Sequence, residues 1–221
     1  MKTSVKSRTA FIIIAGIAVL VLGYQVYLSI LHQAGYLNFG EVVPGKLYRS
    51  SQIDSGDLPK LVDKYGIKTI ICLRGKEQRP VRELAKKMGL NVVGVQMTAE
   101  APPTPQQLEL VMKVLSESSF RPEDYAAVLK DKIGLDQPEV KLPGPFLIHC
   151  RQGADRTGYI AAVYRICFQG WSPQAARFEM LRYYHLPPRF PMLWQSLKSI
   201  SPDKFCPDLN PNYRPAAATK P

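Results

Sequence analysis

Residues 146–158 read FLIHCRQGADRTG. A short apolar run ends on Cys150, five residues follow, and Arg156–Thr157–Gly158 opens a helical pattern. A loop this short between a strand end and a helix start turns successive backbone N–H groups inward, and the helix N-terminus adds positive dipole. The product is an anion site. Gly153 relieves the loop where φ turns positive. Arg156 can reach back as a planar fork and grip two oxygens of a phosphate. The same field acts on the sulfur. A free thiol titrates at ~8.5, helix N-termini and cations lower that to ~3.5–7.5, and each pH unit is ~1.4 kcal/mol in favour of the anion. The Thr157 hydroxyl is placed to donate to such a thiolate. Cys150 is therefore the expected nucleophile. Arg151, Gln152, Gly153, Ala154, Asp155, Arg156 and Thr157 are the expected phosphate-binding residues.

HCRQGADRTG resembles the signature of the protein tyrosine and dual-specificity phosphatase superfamily, His-Cys-x5-Arg-Ser/Thr-Gly, at every signature position. The order of elements over roughly residues 44–200 resembles the compact bacterial members. The resemblance implies a central, mostly parallel sheet flanked by helices. It implies transfer of the phosphoryl group to Cys150 and hydrolysis of the cysteinyl-phosphate, with no metal and no cofactor. It also implies a general acid, usually Asp, on the loop after the second long strand, which here is MTAEAPP, residues 97–103. That loop holds no Asp; its one acid is Glu100. Asp155 is the second candidate, since repulsion from a phosphate dianion would keep a proton on it, and some inositol-lipid phosphatases with a similar loop carry Asp there. Both stay open. His149 is expected to order the loop by hydrogen bonding. Some relatives pair a cysteine near position 72 with the nucleophile in a reversible disulfide, so Cys72 is either such a partner or core packing. Arg74 either supports the loop or is a surface charge.

Strands and helices must bring these residues together, and periodicity supplies both. IKTIICL (67–73) and NVVGVQ (91–96) are β-branched runs of buried-strand type, and 47–49 is a third, shorter candidate. Leu58, Leu61 and Val62 predict a helix over 57–65 stopped by Gly66. A short helix over 81–88 ends at Gly89. Thr104–Pro105 is a helix start, with Leu108, Val111, Met112 and Leu115 as its apolar stripe. Helices are expected over 156–168, 173–184 and 190–200. Residues 35–45 read as a connector, and 120–144 as an insertion with one short helix. Alternating strands and helices predict an α/β fold.

The N-terminus carries a different signal. No charged residue lies between Arg8 and Glu41, and 13 of the 21 residues from Phe11 to Leu31 are Ile, Leu, Val or Phe. As a helix the run spans ~31 Å, the thickness of a hydrocarbon core. A retained anchor over residues 1–32 is favoured over a cleaved signal peptide, because the run is long and no small-x-small site follows. Lys2, Lys6 and Arg8 keep the N-terminus cytoplasmic and send the rest across the membrane, to the periplasm in a bacterium. The expected organisation is an anchor (1–32), a phosphatase domain (33–201) and a flexible Pro-rich tail (202–221).

The formal net charge is +11. Without Lys2, Lys6 and Arg8, 26 basic side chains face 18 acidic ones, or +8. Such a domain attracts anions: phosphorylated proteins or anionic phospholipids are the expected substrates. Nucleic acid is disfavoured, because the basic residues form no run. The four cysteines show no metal-site spacing and no disulfide scaffold, and outside Cys150 each is expected as a small buried hydrophobe. A phosphate-binding module without turnover is the alternative from another functional class.

Overall fold

The computed structural model describes residues 3–33 and 38–214, with the side chains of the N-terminal helix described at 10–24 and 26. The chain divides into two compact units, Met1–Tyr36 and Leu37–Pro221. The first is one helix, α1, Thr3–Gln33. Among the described residues no helix is long and apolar enough to cross a membrane. The span expected over 11–31 is thus not carried by them, and the side chains of 25 and 27–31 lie outside the described residues.

The second unit is built on six strands: β1 (Gly40–Val43), β2 (Leu47–Ser50), β3 (Thr69–Cys72), β4 (Asn91–Val95), β5 (Leu129–Ile133) and β6 (Phe146–His149). They form one mixed sheet in the order β1-β2-β6-β3-β4-β5. The inner pairs β2–β6, β6–β3 and β3–β4 are parallel, and the edge strands β1 and β5 are antiparallel. The expected mostly parallel sheet is present. The central parallel strands β3, β4 and β6 are mainly apolar because both of their faces are covered. Leu47, Ile71, Val93, Phe146 and Ile148 point into one core. Tyr48, Ile70, Val92 and Leu147 point into the other.

The helices are α2 (Asp57–Tyr65), α3 (Arg79–Lys87), α4 (Pro105–Leu115), α5 (Arg156–Gln169), α6 (Pro173–Arg182), α7 (Pro191–Lys198) and the short α8 (Pro202–Phe205). Gly66 ends α2 at φ 66°, as its position predicts. Thr104 caps α4 in a reciprocal capping box with Gln107, which satisfies two orphan donors. α5 is buried nearly all round, from Thr157 to Cys167, so it is the central helix of the larger core.

Three expectations are corrected. The connector over 35–45 contains the edge strand β1. The insertion over 120–144 contributes a 3₁₀ turn, Pro122–Tyr125, and the edge strand β5. Its sequence LKDKI is too charged to read as a strand, and it becomes one by pairing with β4. The tail expected to be flexible from 202 is docked as far as it is described: Cys206 forms a disulfide with Cys167, Phe205, Leu209 and Tyr213 pack on the core, and Asn210 Nδ2 donates to the Cys167 carbonyl at 2.8 Å. Cys167 and Cys206 are thus bonded to each other, because the end of α5 and the tail meet in space.

Candidate active site

β6 lies between β2 and β3, and all three run parallel. Their C-terminal ends therefore open at one edge, where α/β sheets hold ligands. Cys150 follows the last residue of β6 and is 1% exposed. The loop from 151 to 155 leads into α5, which begins at Arg156.

Three consecutive carbonyls of this loop are tied from outside. Arg151 O accepts from Gln52 N at 3.1 Å. Gln152 O accepts from Asn38 Nδ2 at 2.9 Å, and Gly153 O accepts from Arg49 Nη2 at 2.7 Å. A trans peptide sets N–H opposite C=O. Holding the carbonyls outward thus leaves the N–H groups of Gln152, Gly153 and Ala154 facing the loop's interior. Those N–H groups find no acceptor among the described residues. The inward-turned backbone N–H groups expected from the sequence are present. Gly153 is obligatory in this loop: φ is 70°, and a Cβ would lie 2.6 Å from the Ser50 carbonyl.

Arg156 sits at the helix start. Its Nη1 donates to Met97 O at 3.2 Å, which joins the phosphate loop to the loop holding Glu100. The Thr157 hydroxyl is buried without a hydrogen-bond partner among the described residues. Arg151 and Gln152 are exposed, while Ala154 and Asp155 are buried.

The two acid candidates are placed differently. Glu100 is exposed, and its Oε2 accepts from the Thr98 hydroxyl and from Ala99 N at 3.0 Å. Asp155 Oδ1 accepts from His185 Nδ1 at 2.8 Å, with both side chains buried. The Asp155 carboxylate therefore has a partner that fastens the phosphate loop to the segment after α6.

Behind Cys150, on the α2/α3 side of the sheet, His149 and Glu77 form a fully buried pair at 2.5 Å. His149 Nδ1 faces the Cys150 carbonyl at 3.3 Å. Burial pushes the Glu77 carboxyl up, but the hydrogen bond and charge of His149, with the Gln78 N–H, outweigh it and hold Glu77 below its ordinary value. Burial likewise opposes charge on His149. Hydrogen bonds to Cys72 and Glu77 and the Glu77 charge reverse this and hold His149 well above its ordinary value. His149 orders the loop from behind, as expected. Asp131 of β5 braces the pair, accepting from Glu77 N at 3.2 Å and from Arg82 Nε at 2.8 Å. Cys72 and Cys150 are free and buried. Cys72 Sγ bonds the Lys76 carbonyl at 3.4 Å. Arg74 bonds the Gln52 side chain, so it supports the loop indirectly.

Sequence reasoning missed Arg49, Asn38, Glu77, Asp131 and His185. Arg49 left a trace, as a cation inside an apolar strand pattern. The others left none, since each acts at long range.

The model of a tyrosine phosphatase family matches residues 34–166, more than half of the chain. Over 39 residues the chain is 59% identical to the dual specificity protein phosphatase TpbA of Pseudomonas aeruginosa strain UCBPP-PA14, a match covering 18% of each protein. The chain thus spans under a fifth of that curated relative's length. The crystal structure of P. aeruginosa TpbA is similar with a TM-score of 0.58 and 22% identity, over 79% of this chain and 91% of that one. The catalytic core of the PP-IP phosphatase SIW14 of S. cerevisiae gives 0.56 and 22%, over 76% and 87%. These two likenesses show the fold.

Proposed function

The chain belongs to the tyrosine phosphatase family, and we propose that it hydrolyses phosphate monoesters through a cysteinyl-phosphate on Cys150. The observation that carries this reading is the loop whose three carbonyls are held outward around a buried cysteine, with Arg156 at the helix start. The Cys150 sulfur attacks phosphorus, and the bond from phosphorus to the leaving oxygen breaks. A general acid gives that oxygen a proton. Water then attacks phosphorus, the S–P bond breaks, the acid recovers its proton from the water, and phosphate leaves.

Glu100 is the acid we favour. It is exposed on the loop that Arg156 touches, whereas the Asp155 carboxylate is buried and bonded to His185. Asp155 then positions the loop. Phosphotyrosine or dual-specificity protein substrates fit the family. Lipid or inositol phosphates are the second reading, supported by the +8 charge of the domain and by Arg151 exposed on the loop.

We place the domain outside the cytoplasm. The Cys167–Cys206 disulfide belongs to an oxidising compartment.

The test is turnover of para-nitrophenyl phosphate in chelator, wild type beside Cys150→Ser. Chelator-resistant turnover that disappears in the variant is expected. A wild type that binds phosphate but turns nothing over leaves only a phosphate-binding module.

A further inference from the structure

Arg49 is a buried cation without a carboxylate. It is 1% exposed and forms no ion pair among the described residues. The carboxylate whose charge acts on it, Glu179, is held by Arg165 in a two-pronged bond, 2.6 and 3.1 Å. One face of the Arg49 guanidinium lies 3.6 Å from the centre of the Tyr183 ring. Nη2 bonds the Gly153 carbonyl, while Nε and Nη1 are buried with no partner. Removing a cation from water without a counter-charge is strongly unfavourable.

The missing counter-charge is the active-site anion. Arg49 leaves the sheet next to the phosphate loop, and a Cβ at Gly158, in the first turn of α5, would lie 3.5 Å from its Nη2. The guanidinium thus stands between the end of β2, the loop and the N-terminus of α5. Burial lowers its pKa to about 10, against the opposing charges of Tyr183, Glu179 and Cys150, so it stays charged at neutral pH.

Resting on the phosphatase reading above, we propose that Arg49 is a positioning residue whose buried charge balances the Cys150 sulfur anion and the bound phosphate, and whose bond to the Gly153 carbonyl aims the Ala154 N–H into the nest. The charged and titratable groups around it are Cys150 of the loop, Arg165 of α5, and Glu179 and Tyr183 of α6 and its exit. The loop itself adds Arg151, Arg156 and the Asp155–His185 pair, and the end of β6 adds His149.

The test is the pH profile of iodoacetamide alkylation at Cys150, read by peptide mass spectrometry on the full chain in detergent, for wild type, Arg49→Met, Arg49→Gln and Arg49→Lys. Below the wild-type midpoint, the Met and Gln variants should alkylate about tenfold more slowly, as a midpoint raised by about one pH unit requires. Gln can still donate to the Gly153 carbonyl, so a midpoint in Gln equal to that in Met assigns the effect to charge. Lys should recover most of it. Wild-type profiles in Gln and Met, with unchanged tryptophan fluorescence, would overturn the proposal. Should Met fail to fold, a wild-type profile in Gln alone overturns it. Alkylation needs no turnover, so a wild type that is inactive on para-nitrophenyl phosphate refutes the reaction and leaves the Arg49 result readable by itself.

Discussion

Cutting the Cys167–Cys206 bond should cost the domain a large part of its stability. The bond joins the end of α5 to the tail after α8 across a sequence separation of 39. In the chain-entropy account, a loop of this size adds about 4 kcal/mol by restricting the unfolded chain. For a domain of this size each kcal/mol is worth roughly 2–4 °C, so the melting temperature should fall by about 8–16 °C. Packing adds to this, because Leu209 and Tyr213 reach the core only while the tail stays docked. The assay is thermal denaturation followed by tryptophan fluorescence, which reports from Trp171 and Trp194 beside α6 and in α7. Wild type is compared with and without dithiothreitol, next to the Cys167→Ala/Cys206→Ala double variant. Reduced wild type and the double variant should melt together, well below oxidised wild type, and dithiothreitol should not move the double variant. A reductant effect under about 2 °C, or free alkylation of both cysteines in unreduced protein, would refute the reasoning. It would also remove the oxidising-compartment argument for a domain outside the cytoplasm.

The acid assignment predicts that Glu100→Gln loses most turnover on a phosphate ester with a poor leaving group and much less on para-nitrophenyl phosphate, whose leaving group needs little protonation. Asp155→Asn should lose similar amounts on both, through the loop; equal, mild losses in the two variants would sink both assignments. The buried His149–Glu77 pair predicts a pH window of stability. Glu77, held below its ordinary 4.5, contributes above that value and loses its contribution as pH falls through the lowered one. His149, held well above its ordinary 6.5, contributes fully below that value and loses its contribution as pH rises through the raised one. Glu77→Gln should therefore cost on the order of 3–5 kcal/mol between these pH values and progressively less on either side. A difference in melting temperature that is flat across pH 3–10 would contradict this.

The buried free cysteine after β6, the loop that follows it and the helix behind were legible because they are local. A strand end, five residues and a helix start are contiguous in sequence, and their chemistry follows from backbone geometry. β6, α2 and the start of α4 are readable for the same reason: an apolar run bounded by punctuating residues, or a Thr-Pro cap. β5 was hidden because LKDKI carries three charges; only pairing with β4 makes it a strand, and Asp131 is buried there at 6% exposure to brace Glu77. His185 was hidden because nothing near it in sequence shows that it meets Asp155, 30 residues away. The disulfide is of this kind too, a product of where α5 ends in space. Arg49 shows the limit most clearly. Its type violates the strand pattern, but only the sheet order, which sets β2 against β6, tells what the violation is for.

That order also decides how far a substitution at Glu100 can be read as chemistry. The Glu100 loop follows β4, and its backbone is fixed at two points that do not involve the Glu100 side chain. Met97 N donates to the carbonyl of Leu73, beyond β3, at 3.3 Å. Met97 O in turn accepts from Arg156. A third tie comes from Gln107, the capping-box partner of Thr104 in α4, whose Nε2 donates to Gln96 O at 2.5 Å. The loop is thus held by the exit of β3, the phosphate loop's own arginine and the start of α4. Glu100 bonds only Thr98 and Ala99, within its own turn. Replacing its carboxylate by an amide leaves all three ties in place and removes the ionisable group with its charge. Replacing Arg156, by contrast, releases the loop and the phosphate together, so its loss cannot be divided between binding and acid catalysis.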